Sequence, residues 1–392
     1  MNWLQTQAKA NPQKLFILEG GYSYSYMDVA AMVQAYLQAL LREGIQPQDR
    51  ILIYLPGSIE MAEIILVCFE IGAIATPISR RLTKSEREAV IETIQPRLII
   101  TNWDGQKTFE GVSFSLICIE ELLSSSNRCS IIKNEYEKNL DEICTIILTS
   151  GTTGMPKAVQ LTYSNFETSC SNWNGFLQFD PTDQFLCCLP LHHIGGLAVL
   201  IRALIYGFSV NLINEFQAEI VIKTLQNHPV TIISLVPTML KRILYIEGGL
   251  ETLKALRYIL LGGGPAPGTL MDTCIREKLP IVKVYGMSET CSGTFGLKLL
   301  DEPSNKYYAG RPFPGTEVRT ENDEIYISGP MVMKGYVGEK ETNGIHNSHD
   351  LGRLDDNLLY LDIRRKDLIV SGGENINPIE VEEALQKQDG II

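Results

Sequence analysis

The sequence predicts an α/β fold: a large amino-terminal body of two βαβ-rich subdomains with a smaller β-rich third subdomain behind them. Three observations carry that expectation. Residues 50–78, RILIYLPGSIEMAEIILVCFEIGAIATPI, read as strand, turn, amphipathic helix and strand. Residues 219–240, EIVIKTLQNHPVTIISLVPTML, repeat that alternation. Strands alternating with helices imply βαβ units in largely parallel sheets, whose ligands sit at the carboxyl ends of the strands. From about residue 310 the texture changes to short hairpin-like stretches, TENDEIYISGPMVMKGY and RLDDNLLYLDIRRKDLIVSGG. On this reading residues 1–365 form the body, with the β-rich part over about 310–365, and residues 366–392 are a hinge and the start of a further element. No internal repeat or low-complexity segment is present.

Composition narrows the function classes. The 392 residues, 45% hydrophobic and 20% charged, are enough for a large core in two or more subdomains. With 46 acidic against 34 basic residues, the net charge of −12 argues against a general nucleic-acid or anionic-membrane binder, which needs clustered Lys and Arg. The start, Met1-Asn2-Trp3-Leu4-Gln5, lacks the basic region and apolar core of a signal peptide. The longest apolar stretch, Ile194 to Val210, is broken by Arg202 and three glycines and is too short for a membrane span. Nine scattered cysteines read as reduced thiols rather than a disulfide framework. A soluble cytoplasmic protein without membrane insertion is expected.

Residues 149–160, TSGTTGMPKAVQ, place Ser150, Thr152 and Thr153 among glycines directly after the strand-like run Ile143 to Leu148. Amides and hydroxyls at a strand end, with Lys157 adding charge, form a phosphate cradle on chemistry alone. The loop is not a Walker A pattern, since Gly154 is followed by Met-Pro-Lys. A polar surface loop is the plain alternative.

This loop has companions. TSGTTGMPKAV, YGMSETCS (285–292) and RRKDLIVSGGENINPIEVEEAL (364–385) follow one another in the order and spacing of the adenylate-forming superfamily of acyl-CoA synthetases, luciferases and peptide-synthetase adenylation domains. The chain resembles that superfamily over nearly its whole length. Within it, CLPLHHIGGLAVLIRALIYGFSV (188–210), TIISLVPTML (231–240) and ILLGGGPAP (259–267) resemble the menaquinone-pathway branch that joins 2-succinylbenzoate to CoA.

The resemblance implies a two-step reaction: a carboxylate attacks the α-phosphate of MgATP, pyrophosphate leaves, and the thiol of CoA then attacks the acyl-adenylate. Charge stabilisation and positioning carry such chemistry. By the same resemblance, Thr149, Ser150, Gly151, Thr152, Thr153, Gly154 and Lys157 surround the β- and γ-phosphates. Tyr285 lies against adenine beside Gly286, and Ser288 bonds the α-phosphate where relatives more often have Thr. Glu289 is the expected Mg²⁺ ligand, a hard oxygen donor for a hard cation; Ser288 and Glu289 could instead simply cap a helix. Gly262, Gly263 and Gly264 lie between adenine and acyl group, or form a tight turn before Pro265. Asp350 and Arg364 contact the ribose, although the usual Thr-Gly-Asp reads Ser348-His349-Asp350 here and the glycine before the arginine is Ile363.

Two residues bear on the acid. His193 falls where the family places an aromatic or histidine near the acyl carboxylate; an inert core histidine is one alternative, and a metal cluster with Cys187 and Cys188 is another, against which the adjacent Cys-Cys and His-His spacing speaks. Arg202 interrupts a run that otherwise reads as a buried helix, and an unpaired buried guanidinium is costly. Something anionic should face it, either a protein carboxylate or the second carboxylate of a dicarboxylic substrate. Lys366 is the hinge by resemblance. Family members continue into a lid beyond it, whereas this chain ends at Ile392, so poor adenylation by the chain alone is expected. An aryl- or short-chain acyl-CoA ligase and a non-catalytic adenylate-binding protein are the competing readings. A homodimer is implied by the resemblance and by no particular residue.

Overall fold

The computed structural model describes residues 2–111, 113–125, 132, 134, 136–149, 156–364, 369–371, 374–376 and 385. Their order is set by two mixed sheets. The larger has nine strands, running Arg311–Pro312, Ser292–Lys298, Ile281–Met287, Tyr258–Leu261, Ile232–Leu235, Gln184–Cys187, Ser209–Leu212, Leu15–Glu19 and Tyr22–Ser25. Every pairing from Ile281–Met287 to Leu15–Glu19 is parallel, and only the flanking strands pair antiparallel. The second sheet has seven strands in the order Gly335–Tyr336, Lys157–Thr162, Ile143–Thr149, Ile74–Pro77, Arg50–Tyr54, Leu98–Thr101 and Leu116–Cys118.

The parallel strands are short continuous apolar runs, IISL, YILL and LIIT among them, because both sheet faces are covered. Residues 50–78 form strand Arg50–Tyr54, helix Ile59–Ile71 and strand Ile74–Pro77, and the helix ends at Gly72, whose φ of +84° suits a left-handed cap. Residues 219–240 also alternate, but they open with a helix: Ala218–Asn227 precedes strand Ile232–Leu235 and helix Pro237–Leu244. The β-branched run Ile220-Val221-Ile222 is helical because Ala218, Val221 and Ile222 share one buried face while Ile220 points outward.

Strands Glu317–Glu321, Glu324–Ser328, Ile345–Asp355 and Leu358–Arg364 form a four-stranded antiparallel sheet. Its two tight hairpins turn at Asn322-Asp323 and Asp356-Asn357. All four residues have positive φ, the conformation that two-residue primed turns demand and that Asn and Asp tolerate. The stretch is tied into both larger sheets, since Arg311–Pro312 edges the first and Gly335–Tyr336 pairs with Lys157–Thr162 in the second.

Helix Ile194–Tyr206 is buried along ten of its residues, and no described helix is long and apolar enough to cross a membrane. Tyr26, fully buried and stacked on Phe16, shares its hydroxyl hydrogen between the carbonyls of Ala203 (2.9 Å) and Phe208 (2.8 Å) and so anchors the end of that helix. Tyr26→Phe is expected to lower stability by about 1–2 kcal/mol, read from the urea midpoint at unchanged slope. Glu63, 3% exposed on helix Ile59–Ile71, has its carboxyl pushed up to about 8 by burial and by Glu60 and Glu19. The folded state therefore holds a proton that the unfolded chain releases near its ordinary value of about 4.3. Stability from this group is full at low pH and drains between roughly pH 4.3 and 8. Glu63→Gln should gain on the wild type steadily from pH 5 to pH 8 in urea titrations; a gap independent of pH would contradict the assignment.

Candidate functional site

A cavity of about 1070 Å³ opens where the carboxyl ends of the large sheet meet the strand pair Ile143–Thr149 and Lys157–Thr162 and the strand Ile345–Asp355. Leu235, Gly262 and Met287 come from strand ends in the first sheet, Thr149 and Lys157 from the second, and Ser348 and Asp350 from the small antiparallel sheet. This is where open α/β sheets place ligands. Among the described residues no group of three or more His, Cys, Asp or Glu is arranged to hold a metal by itself. Cys187 and Cys188 are spent on backbone carbonyls, at Leu189 (3.5 Å) and Ser234 (3.2 Å).

One wall is built around helix Ile194–Tyr206. Gly196 makes its start possible: a Cβ there would stand 2.4 Å from the carbonyl oxygens of Leu189 and Pro190, so only glycine lets the helix rise directly off that loop. His193 stands at the N-cap position and faces the cavity without capping the helix; burial against surrounding protein holds its pKa below the usual imidazole value. Its ring packs at 4.4 Å from that of His192.

Arg202, two turns on, is 2% exposed and also lines the cavity. Its guanidinium lies 4.1 Å over the Trp173 ring and donates to Ser292 Oγ at 2.9 Å, while Nε finds no partner. Among the described residues no carboxylate pairs with it, so they offer no instance of the protein-carboxylate alternative. Burial pulls its pKa down to about 10, which leaves it cationic at neutral pH.

The opposite wall is polar. Ser288 and Glu289 open a 3₁₀ turn, Ser288–Thr290, rather than capping an α-helix; the capping is done by Thr290, whose hydroxyl accepts the Met287 N–H at 3.1 Å. Gly286 is required beside it, because a Cβ would meet the Ser292 carbonyl at 2.3 Å. Tyr336 donates its hydroxyl to Glu289 Oε1 at 2.8 Å, and burial beside that carboxylate keeps the phenol protonated. Lys157 Nζ rests 4.6 Å over the same tyrosine ring. Thr149 faces Lys157 across the strand pair and donates to its carbonyl at 3.5 Å.

Asp350, 7% exposed, accepts from Tyr285 at 2.7 Å. Tyr285 itself packs on Phe295 and stands behind the cavity lining. His349 occupies a left-handed conformation (φ +57°), the one a glycine would fill without strain, and its amide is tied to Asn347 Oδ1 at 2.8 Å.

Of the sequence candidates, Thr149, Lys157, His193, Arg202, Gly262, Gly263, Gly286, Ser288, Glu289 and Asp350 line this one cavity. Gly264 and Tyr285 stand next to lining residues without reaching it. Ser150, Gly151, Thr152, Thr153, Gly154 and Lys366 lie outside the described residues; Arg364 is described only in its backbone, which pairs with Asp350. Sequence reasoning passed over Trp173, Ser292, Tyr336, His346 and Glu324. The alternation His346, Ser348, Asp350 on one strand was an available signal for one of them.

Residues 4–337 match the family described as AMP-binding enzyme. A 2-succinylbenzoate–CoA ligase of Oceanobacillus iheyensis is 35% identical over 409 aligned positions, covering 100% of this chain and 84% of that one. Another, from Bacillus velezensis, is 36% identical, covering 98% and 82%. Among solved structures, o-succinylbenzoate CoA synthetase (MenE) of Bacillus subtilis with its acyl-adenylate intermediate superposes with a TM-score of 0.91 at 32% identity, over 99% of this chain and 83% of that chain. The same enzyme with ATP and magnesium ion gives 0.90, over 98% and 84%.

Proposed function

The chain belongs to the AMP-binding enzyme family, and on that footing we propose that it activates 2-succinylbenzoate with ATP and transfers the acyl group to CoA. A carboxylate oxygen of the acid attacks the α-phosphorus of ATP and pyrophosphate leaves; the CoA sulfur then attacks the acyl carbon and AMP leaves. The product is the CoA thioester that menaquinone biosynthesis uses. A cytoplasmic location fits a reaction that draws on ATP and CoA.

One observation carries the choice of acid: a cationic guanidinium, buried at the cavity wall, bonded to a hydroxyl and an aromatic face and to no described carboxylate. A substrate with a second carboxylate supplies the missing anion, and His193 on the same wall orients the reacting one. On the polar wall, Thr149 and Lys157, with Ser150 to Gly154, hold the β- and γ-phosphates, Ser288 the α-phosphate, and Asp350 with Arg364 the ribose. Gly286 bounds the adenine with Tyr285 behind it, and Gly262 and Gly263, continued by Gly264, separate adenine from acyl group. Glu289 fits a Mg²⁺ ligand, since its carboxylate faces the cavity and is oriented by Tyr336. When bound, the ion neutralises phosphate charge. Residues 1–365 form the body of this reading, and Lys366 its hinge.

The acid is tested by calorimetry with two acyl-sulfamoyl-adenosine analogues, one 2-succinylbenzoyl and one benzoyl. The dicarboxylate should bind more tightly by about 2 kcal/mol or more, and Arg202→Leu should erase that difference, weakening the dicarboxylate, whose second carboxylate loses its partner, and tightening the benzoyl analogue, which no longer closes over an unpartnered guanidinium. Equal affinities in the wild type would return the acid to the aryl and short-chain classes. Tyr336→Phe should raise the Mg²⁺ concentration for half-maximal adenylate formation about tenfold or more, with the ATP KM at saturating Mg²⁺ little affected. An unchanged Mg²⁺ titration would detach Glu289 from metal binding.

A further inference from the structure

His346 is a polar residue that the cavity wall leaves unserved. It is 8% exposed, on strand Ile345–Asp355, yet lines the cavity. Its side chain makes no hydrogen bond, ion pair or ring contact with any described residue. The strand sends His346, Ser348 and Asp350 to the cavity while Asn347 turns to Glu324 Oε2 (2.8 Å) and Tyr326 (3.1 Å). Ser348 donates to the Ile325 carbonyl at 2.9 Å and Asp350 accepts from Tyr285. Of the three, the imidazole is the one with no partner among the described residues.

A ring nitrogen that opens into the cavity and has no partner among the described residues is available to a ligand group placed against it. The titratable groups that act on His346 are Glu289, His349, Lys157 and Asp350; burial, in the same direction as His349 and Lys157, outweighs the two carboxylates and holds its pKa below the usual imidazole value. A neutral imidazole offers one N–H donor and one acceptor. The carboxylates around it take donors from elsewhere: Tyr336 on Glu289 and Tyr285 on Asp350. An acceptor on the Lys157 side of this corner, such as a phosphate oxygen, can take the ring N–H.

We propose that His346 is a further nucleotide-contacting residue, its N–H donating to a phosphate oxygen of the bound nucleotide. This rests on the cavity being the ATP site, and it deepens that reading by one residue that none of the three sequence motifs includes. The ribose is served by other groups in that reading, so the contact belongs to the phosphates.

The test is calorimetric binding of ATP, AMP and adenosine to the whole chain, wild type and variants, with thermal midpoints measured alongside. His346→Phe fills the space without a donor, and His346→Ala removes ring and donor together; either alone suffices if the other does not fold. Both should weaken ATP and AMP about tenfold or more, the range of a hydrogen bond to a charged group, and leave adenosine within about twofold. His346→Gln, which restores an N–H donor, should recover most of the loss. Unchanged ATP and AMP binding in the variants, or an equal loss for adenosine, would overturn the assignment while the nucleotide site stands. A wild type that binds none of the three would overturn the nucleotide reading and this inference with it.

Discussion

A guanidinium buried in an apolar helix is the constraint around which the site is organised. Arg202 cannot be left bare at 2% exposure, and the protein answers with two neighbours from distant elements, Trp173 of helix Tyr163–Leu177 and Ser292 of strand Ser292–Lys298. Placing Ser292 there bends the backbone: Cys291 and Ser292 both carry positive φ, at +51° and +104°, a conformation that side chains rarely accept. The bend is held by buried hydrogen bonds, Ser169 Oγ to the Cys291 carbonyl at 2.6 Å and Thr290 Oγ1 to the Ser292 carbonyl at 2.8 Å. A strained turn that is this thoroughly bonded is a positioned one.

The same turn serves the other wall. Residues 285 to 292 carry Tyr285 to Asp350, Glu289 to Tyr336 and Ser292 to Arg202, each through one hydrogen bond to a different part of the fold. Groups of the two cavity walls are thus fixed to one short segment, and displacement of either end is felt at the other. For a reaction that holds two anions together, such rigid placement contributes more than any single contact, because misplacement by an ångström forfeits the gain from orientation. The polar wall also keeps its charges local: Glu289 and Asp350 receive hydroxyls, and Lys157 sits against an aromatic face.

The sequence was legible where a feature is local. Apolar runs of four residues between helices marked the parallel strands, Arg202 was conspicuous as the one charge in a buried helix, and the resemblance gathered Lys157, Ser288, Glu289 and Asp350, which the fold brings to one cavity. What escaped it depends on distance in space. Trp173 and Tyr336 meet Arg202 and Glu289 at the cavity across 29 and 47 positions of chain. Ile220 to Ile222 read equally well as strand or helix, because three β-branched residues are too few to show a period. Tyr285 matched a motif, yet its hydroxyl is committed to Asp350, a pairing that no spacing rule predicts.

On the proposed reading, discrimination between acids comes from the asymmetry of a desolvated cation. A ligand carboxylate that meets Arg202 exchanges its hydration for a charge-assisted bond inside a cavity whose local dielectric is low, so gain and desolvation cost largely offset each other. A monocarboxylic acid of the same size gains nothing there and closes the pocket over the same guanidinium, with its Nε still unpartnered. The penalty for the wrong acid, more than the bonus for the right one, sets the selectivity, as in sites built to bond a group that the competitor lacks. Trp173 and Ser292 keep the empty protein from bearing that penalty in full, and neither supplies the negative charge that would cancel it.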